Sequence, residues 1–303
     1  MTKYVVKRVL LAILSLLIVS AITFFVMNLI PGGPFNKEKA VSAETIRILE
    51  ERYNLDKPVT VQYVLYMKNL LHGDWGVSLK TGRDIWHEIT SRFSISAKLG
   101  LMASGLAIVV GLVLGSLAAL KRNKWQDRVI VFFTTLATAM PSFVLATLLL
   151  LVFCLKLGWV PVWSADSTNY VLPVISLSLY PMAYITRLTK TSMLDSLSQD
   201  YVRTARAKGV SNWKVIFVHA LRNALIPVVT YVGPMIASIL TGSMVVESIF
   251  TIGGLGSSFV TSITNRDYTL IMATTIFFGS LMIIANLITD IVYKIIDPRI
   301  TFE

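Results

Sequence analysis

Residues 9–30 read VLLAILSLLIVSAITFFVMNLI, an apolar run without a single charged side chain. About 20 apolar residues in a helix are enough to cross the hydrocarbon layer of a membrane. Of the 303 residues in the chain, 54% are hydrophobic and only 15% are charged, which is unlike a soluble domain. The run therefore predicts a membrane-spanning helix, and the composition predicts that it is one of several.

Lys3, Lys7 and Arg8 precede this run, an arrangement that secretory signal peptides share. The run is longer than the apolar core of a signal peptide, and no small-residue cleavage site follows it. We therefore interpret it as the first membrane span.

The rest of the chain repeats the pattern, and six spans are predicted in all. They cover residues 9–30, 95–120, 129–157, 171–188, 224–246 and 269–292. No alternation of apolar and polar residues suggests a barrel, so each span should be a helix that satisfies its own backbone hydrogen bonds. Kinks are expected at the prolines of these spans, which are Pro141, Pro173, Pro181, Pro227 and Pro234. The predicted fold class is an all-α polytopic membrane protein.

The basic residues indicate the orientation of the spans. Lys and Arg gather before the first span, in 121–128, in 187–222 and after the last span, whereas the short connections on the other side hold only Lys156 and Arg266. By the positive-inside rule, both termini face the cytoplasm. The net charge of +11 is thereby explained without nucleic acid.

The predicted organisation follows from these spans. Residues 1–30 form an N-terminal segment with the first span, 31–94 an extracytoplasmic subdomain, 95–292 the core with a cytoplasmic loop at 189–223, and 293–303 a cytoplasmic tail. In the subdomain, Ser42 is a candidate N-cap for a helix that continues through Tyr53. Within the second span, Gly111 and Gly115 form a Gly-x-x-x-Gly pair that is typical of close helix packing.

The loop at 189–223 is too long and too charged for a simple helical connection. Its centre predicts a short helix that ends at Gly209, with Arg206 and Lys208 near the negative end of the helix dipole. Thr204 and Ala205 are small, so another protein could approach this helix closely. We therefore expect the loop to bind a partner.

The sequence of this loop resembles the permease subunits of ATP-binding-cassette importers. Residues 203–209 read RTARAKG, similar to the family motif Glu-Ala-Ala, three residues and Gly, with Arg203 where Glu is usual. That version, followed by HALRNALIP at 219–227, is typical of the oligopeptide, dipeptide and nickel branch. Segments 30–35, 55–58, 73–76, 242–247, 253–256 and 265–268 resemble the same branch, and the B-type permease of oligopeptide importers in particular.

The resemblance implies a type I importer permease that forms half of a pathway for oligopeptides, in a bacterial or archaeal cytoplasmic membrane. Its implied partners are a second, homologous permease, two cytoplasmic ATPases that bind ATP and Mg²⁺, and an extracytoplasmic binding protein. The implied ATPase-docking residues are Tyr201, Arg203, Thr204, Ala205, Arg206, Ala207, Lys208 and Gly209. Dipeptides, nickel and other small solutes remain alternative substrates. No phosphate-binding Gly-x-x-x-x-Gly-Lys-Ser/Thr motif occurs, so ATP hydrolysis is assigned to the partners.

The connection between the last two spans contains candidates for a gate or a receptor contact. They are Glu247, Gly253, Gly254, Gly256, Arg266 and Asp267. A supporting turn at the glycines and ordinary solvated loop charges are the alternative interpretations.

Other classes of protein are less consistent with the sequence. His72, His87 and His219 are scattered and Cys154 is the only cysteine, so no metal or catalytic centre is expected, and no cofactor is assigned to the chain. An ion-coupled secondary transporter should have a charged residue at the centre of a span, and the charges here lie at span ends.

Overall fold

In a computed structural model, residues 2–31, 33–35, 43–164 and 167–296 are described, and their regular elements are helices. One isolated antiparallel bridge joins Val77 and Asp84. The helices are α1 (Thr2–Leu29), α2 (Ala43–Arg52), α3 (Val59–Leu71), α4 (Ile85–Leu120), α5 (Trp125–Ala139), α6 (Ser142–Leu149), α7 (Val171–Ser198), α8 (Asp200–Ala207), α9 (Asn212–Lys214), α10 (Leu221–Gly242), α11 (Met244–Ile249), α12 (Leu255–Asn265) and α13 (Tyr268–Ile296). π-Helical segments at Leu150–Lys156 and Val215–Ala220 extend α6 and precede α10.

Five described helices are long and apolar enough to cross a membrane, namely α1, α4, α7, α10 with its flanking turns, and α13. A sixth candidate consists of α5 and α6, which are bent by 105°. The span predicted at 129–157 corresponds to this bent pair, and the predicted kink at Pro141 is confirmed. Pro141 has no N–H to donate, and Met140 before it is extended (φ −90°, ψ 135°), so one helix ends and another begins.

Two other span boundaries extend further than predicted. α4 begins at Ile85 rather than at 95, because Ile85 and Ile89 are buried against Leu255 and Leu270. α7 continues to Ser198 rather than ending at 188, and Met193 on this extension is buried. In both cases an apolar face continues past the most hydrophobic stretch and carries the helix out of the predicted span.

The described residues divide into two compact units, and α4 and α13 contribute to both. The first unit draws on Met1–Ile95 and Gly253–Ile283. Its core contains Phe24 and Met27 of α1 and Met272 of α13, with Tyr63 of α3 packed against it. The Tyr63 hydroxyl also bonds Ser20 at 2.8 Å, which ties α3 to α1. The predicted Ser42 cap lies outside the described residues, while the predicted helix is present as α2, which ends at Arg52, one residue before Tyr53.

The second unit draws on Ser96–Ile252 and on the part of α13 from Ile284, and it is organised around α7, which packs against α5, α6 and α10. Gly111 and Gly115 of α4 face α7 so closely that a Cβ on Gly115 would lie 2.6 Å from the Thr186 carbonyl oxygen. The predicted close packing at the Gly-x-x-x-Gly pair is confirmed.

An ion pair joins α5 to the extended part of α7. Lys190 Nζ lies 2.5 Å from Asp127 Oδ1, and the other carboxylate oxygen accepts the Asn123 N–H at 3.0 Å. Asp127 is buried, whereas Lys190 remains partly exposed. Removing one partner of such a pair leaves the other charge without compensation.

We expect Asp127→Ala to lower the free energy of unfolding by about 3 kcal/mol, because it removes the acceptor of both Lys190 and Asn123. Lys190→Met in the same chain should restore part of the loss. Thermal melting of the purified protein in detergent measures both effects, with the exposed Asp195→Ala as control. Equal melting temperatures for Asp127→Ala and Asp195→Ala would contradict the assignment.

Candidate functional site

α8 is an eight-residue helix whose end is fixed by its last residues. Gly209 has φ +76°, a conformation that glycine adopts without strain. The Gly209 N–H donates to the Arg206 carbonyl at 3.0 Å, and the Val210 N–H donates to the Ala205 carbonyl at 3.1 Å. These two bonds form the Schellman motif, so the predicted stop at Gly209 is present in the structure.

The two faces of α8 have different surroundings. Val202 and Ala205 are buried in a cluster with Val215 and Ala220, which belong to the π-helical segment that precedes α10. The opposite face is exposed and consists of Tyr201, Arg203, Thr204, Arg206, Ala207 and Lys208. The helix is therefore anchored to its own chain on one side and open to a partner on the other.

This geometry corrects the expectation for Ala205. Its small side chain was expected to let another protein approach, but it is buried against the chain's own residues. Val202 and Ala205 lie three residues apart, so they share a helix face, and burial of that face against Val215 and Ala220 excludes Ala205 from the exposed surface. Thr204 and Ala207 are the small residues that lie on the outer face.

The exposed face is basic. Arg203 Nη1 lies 3.4 Å from Asp200 Oδ1, but both groups are exposed and the pair contributes little to stability. Arg206 and Lys208 add positive charge near the carboxyl end of the helix, where it is favourable. The Thr204 hydroxyl donates to the Asp200 carbonyl at 2.9 Å, which keeps this side chain close to the helix.

The predicted loop at 189–223 is largely helical. α7 occupies its first part, α8 its centre, and α9 with the π-helical segment leads directly into α10. α8 packs against both the end of α7 and the π-helical segment. A movement of α8 would therefore act directly on two membrane helices. The anchoring residues Val202, Val215 and Ala220 were not singled out in the sequence, although the spacing of Val202 and Ala205 is a signal for them.

The candidates on the 242–268 segment are distributed over both units. Gly253 is exposed, Gly254 precedes the first residue of α12, and Gly256 is buried in the first turn of that helix. Arg266 ends α12 in the left-handed conformation, and its guanidinium donates to the Pro31 carbonyl at 2.8 Å. The glycines thus form the start of a helix, as expected for a supporting turn.

The two carboxylates of this set are buried. Glu247 is 0% exposed and accepts a hydrogen bond from the Ser243 hydroxyl at 2.6 Å. Asp267 accepts from the Ser78 hydroxyl and, at 3.1 Å, from the Leu79 N–H, and it precedes α13 as a capping residue. A buried carboxylate cannot meet a receptor directly, so the receptor-contact and solvated-charge interpretations do not hold for these two residues. A role in gating stays a prediction.

We expect Asp267→Ala to loosen the segment around Ser78, because both donors lose their acceptor and α13 loses its cap. The loss should be about 2 kcal/mol and should appear as faster proteolysis between α3 and α4. The exposed Asp56→Ala serves as control. Equal proteolysis rates in the two variants would show that Asp267 does not hold this segment.

Family models match nearly the whole chain. Residues 111–302 match the model described as the binding-protein-dependent transport system inner membrane component. Residues 1–100 match the model for the N-terminal part of membrane components of the same transport systems.

Curated relatives match over the full length. The oligopeptide transport system permease protein OppB of Haemophilus influenzae is 44% identical, with 100% of each chain covered. The dipeptide transport system permease protein DppB of Bacillus subtilis is 43% identical, with 99% of this chain and 98% of the relative covered. The oligopeptide and dipeptide permeases therefore have nearly the same sequence identity to this chain.

Solved structures share the fold. A chain of an amino acid ABC transporter crystallised with histidines has a TM-score of 0.56 at 14% identity, covering 68% of this chain and 93% of that one. A chain of the MetNI methionine ABC transporter in inward-facing conformations has a TM-score of 0.55, also at 14% identity, covering 69% of this chain and 95% of that one. At this identity the similarity extends to the fold alone.

Proposed function

Because this chain belongs to the family of inner membrane components of binding-protein-dependent transport systems, we propose that it is a permease subunit for peptides. It has the all-α architecture of type I ATP-binding-cassette importer permeases and is a multi-pass protein of the bacterial cytoplasmic membrane. Oligopeptides are its substrate class, as the OppB relatives of Haemophilus influenzae and Salmonella typhimurium support at 44% and 42% identity. Dipeptides are the second candidate, favoured by the DppB relatives.

The chain works with partners that supply recognition and energy. A second, homologous permease completes the pathway, two cytoplasmic ATPases bind ATP and Mg²⁺, and an extracytoplasmic binding protein delivers the peptide. The termini lie in the cytoplasm, so α8 lies on the side of the ATPases. This division of labour is consistent with the absence of a phosphate-binding motif from the sequence.

The observation that carries the coupling proposal is the two-sided packing of α8. An ATPase can change the population of permease conformations only through contacts that differ between them. α8 offers an exposed basic face for such a contact, while its buried face lies against the residues that lead into α10. Closure of the ATPase pair thereby moves α8, and α8 moves the spans.

Reconstitution tests the function. The permease pair, the ATPases and the binding protein in vesicles should accumulate a labelled oligopeptide only when ATP is supplied to the ATPase side. Competition between unlabelled pentapeptides and dipeptides then decides the substrate length. ATP-independent accumulation driven by an ion gradient would overturn the proposal in favour of a secondary transporter.

A further inference from the structure

A cavity of about 340 Å³ lies in the first unit, in a part of the chain that the docking proposal does not use. Its walls come from the carboxyl-terminal end of α1, the end of α2, the helix α3, the turn that precedes α4 and the start of α13. Small-molecule sites in proteins have volumes of about 300–1,000 Å³. The cavity, which we call the α3 cavity, therefore has room for a small molecule.

Aromatic side chains form much of the wall of the α3 cavity. They include Phe24 of α1, Tyr66 of α3 and Tyr268 of α13, which pack together in the core of the unit. Trp75 adds a fourth ring, and it stacks on Trp86 with 5.2 Å between the ring centroids. Because packing holds these rings in place, they present a preformed surface to the apolar part of a ligand. The face of an aromatic ring also attracts an ammonium group.

Two opposite charges line the same cavity without pairing. Arg52 and Asp74 both belong to the lining and are exposed, but no ion pair joins them or connects either one to another described residue. One carboxylate oxygen of Asp74 accepts the Gly76 N–H at 2.9 Å, and the other has no hydrogen-bond partner among the described residues. The Arg52 guanidinium lies 6.0 Å from the centre of the Tyr53 ring. An occupant that carries both charges would form a charge-assisted hydrogen bond with each of these side chains.

A buried hydroxyl on the wall also lacks a partner. Tyr66 lines the α3 cavity, and its hydroxyl oxygen is buried without a hydrogen bond to any described residue. Most buried polar groups in proteins are hydrogen-bonded, so each exception needs an explanation. This unsatisfied group is independent of the two charges, and a polar group of a ligand could supply the bond that it lacks.

We propose that the α3 cavity binds a small zwitterion with an apolar part. Arg52 receives the acidic group, Asp74 receives the primary ammonium, and the aromatic wall packs against the rest. Two sources supply this chemistry, namely a free amino acid or dipeptide from solution and the headgroup of phosphatidylethanolamine from the membrane that α1 crosses. The site goes beyond the proposed function and does not depend on it, because neither α8 nor ATP takes part in the binding.

The first experiment tests the soluble source. The dipeptide alanyl-phenylalanine is titrated into the purified chain in detergent, beside its N-acetyl form and its C-terminal amide, and binding is measured by calorimetry. Each blocked form should bind at least about ten-fold more weakly than the dipeptide, because it loses one charged partner.

The second experiment tests the lipid source. The chain is placed in nanodiscs of phosphatidylglycerol, with or without phosphatidylethanolamine. Phosphatidylglycerol has the phosphate but lacks the ammonium. If the headgroup is the occupant, phosphatidylethanolamine should raise the melting temperature by at least about 3 °C, because a ligand of the folded state stabilises it.

Two variants assign the contacts in whichever experiment gives binding. Arg52→Gln should bind the dipeptide and its amide equally, and Asp74→Asn should bind the dipeptide and its N-acetyl form equally. In nanodiscs, both variants should lose the shift in melting temperature. Arg47→Gln and Asp56→Asn change exposed charges outside the cavity lining, and they should behave as the unmodified protein does.

The outcomes are distinct. Selective binding of the dipeptide identifies a soluble ligand, and a shift with phosphatidylethanolamine alone identifies the lipid. The proposal is overturned if neither zwitterion has an effect, or if the effect is as large in Arg52→Gln and Asp74→Asn as in the two controls. No ATPase or binding protein is present in either experiment, so the result stands apart from the test of peptide import.

Discussion

Replacing both Thr204 and Ala207 with tryptophan should separate this permease from its ATPases while leaving the permease folded. Both residues lie on the exposed face of α8, away from the buried Val202 and Ala205. Two indole rings there block the close approach of a partner surface, because a packed interface tolerates little added volume. We expect the ATPases to be lost from the purified complex and ATP-driven peptide import to fall to background.

The matched control is Thr191→Trp. Thr191 is also an exposed helical threonine whose hydroxyl donates to the carbonyl four residues earlier, at 3.0 Å from the Arg187 oxygen, but it lies on α7. This variant should retain the ATPases. Co-purification of the ATPases and ATP-driven peptide import are measured for both variants. If the Thr204→Trp, Ala207→Trp protein keeps its ATPases and its full import rate, docking at this face is refuted.

Gly115→Leu should prevent the permease from folding. A Cβ at this position would lie 2.6 Å from both the Thr186 carbonyl oxygen and the Thr189 Cβ, and backbone atoms of a packed helix cannot move away cheaply. The remaining leucine atoms would force α4 away from α7 along the helix contact that includes Gly111. We expect a loss of more than about 3 kcal/mol, a large part of the stability of an ordinary domain.

Gly105→Leu on the same helix is the control. Nothing lies within 4 Å of a Cβ built at Gly105, which is exposed. The yield of monodisperse protein in detergent and its melting temperature should match the unmodified protein for Gly105→Leu and collapse for Gly115→Leu. A normal melting temperature for Gly115→Leu would show that the two helices are not packed as closely as in the structure.

The spans were predictable from sequence because the requirement for a continuous apolar run is local. Their ends were less predictable, since Ile85 and Met193 are buried by residues far away in the chain. The bend at Pro141 was predictable in position but not in size. A proline removes one donor, whereas the 105° angle depends on how α5 and α6 pack against α7.

The short helix α8 was predictable because its end depends on one glycine, Gly209. The exposed face of this helix was not predictable from sequence. Ala205 was therefore expected on the exposed face, whereas it is buried. The burial of Glu247 and Asp267 depends on Ser243 and Ser78, and the second of these lies 189 residues away in sequence. A charged residue in a short connection gives no sign of such a contact.

The separation of the two faces of α8 has a consequence for cells that contain several importers of this kind. The residues that pack α8 against the chain and the residues proposed to contact the ATPase do not overlap, so under that proposal substitutions at Arg203, Thr204 or Lys208 should alter docking with little cost to folding. After gene duplication, two permeases could therefore change these exposed residues so that each binds its own ATPase, or keep them alike so that both bind the same ATPase. If docking occurs at this face as proposed, exchanging the exposed residues of α8 between two such permeases should exchange their preferred ATPases.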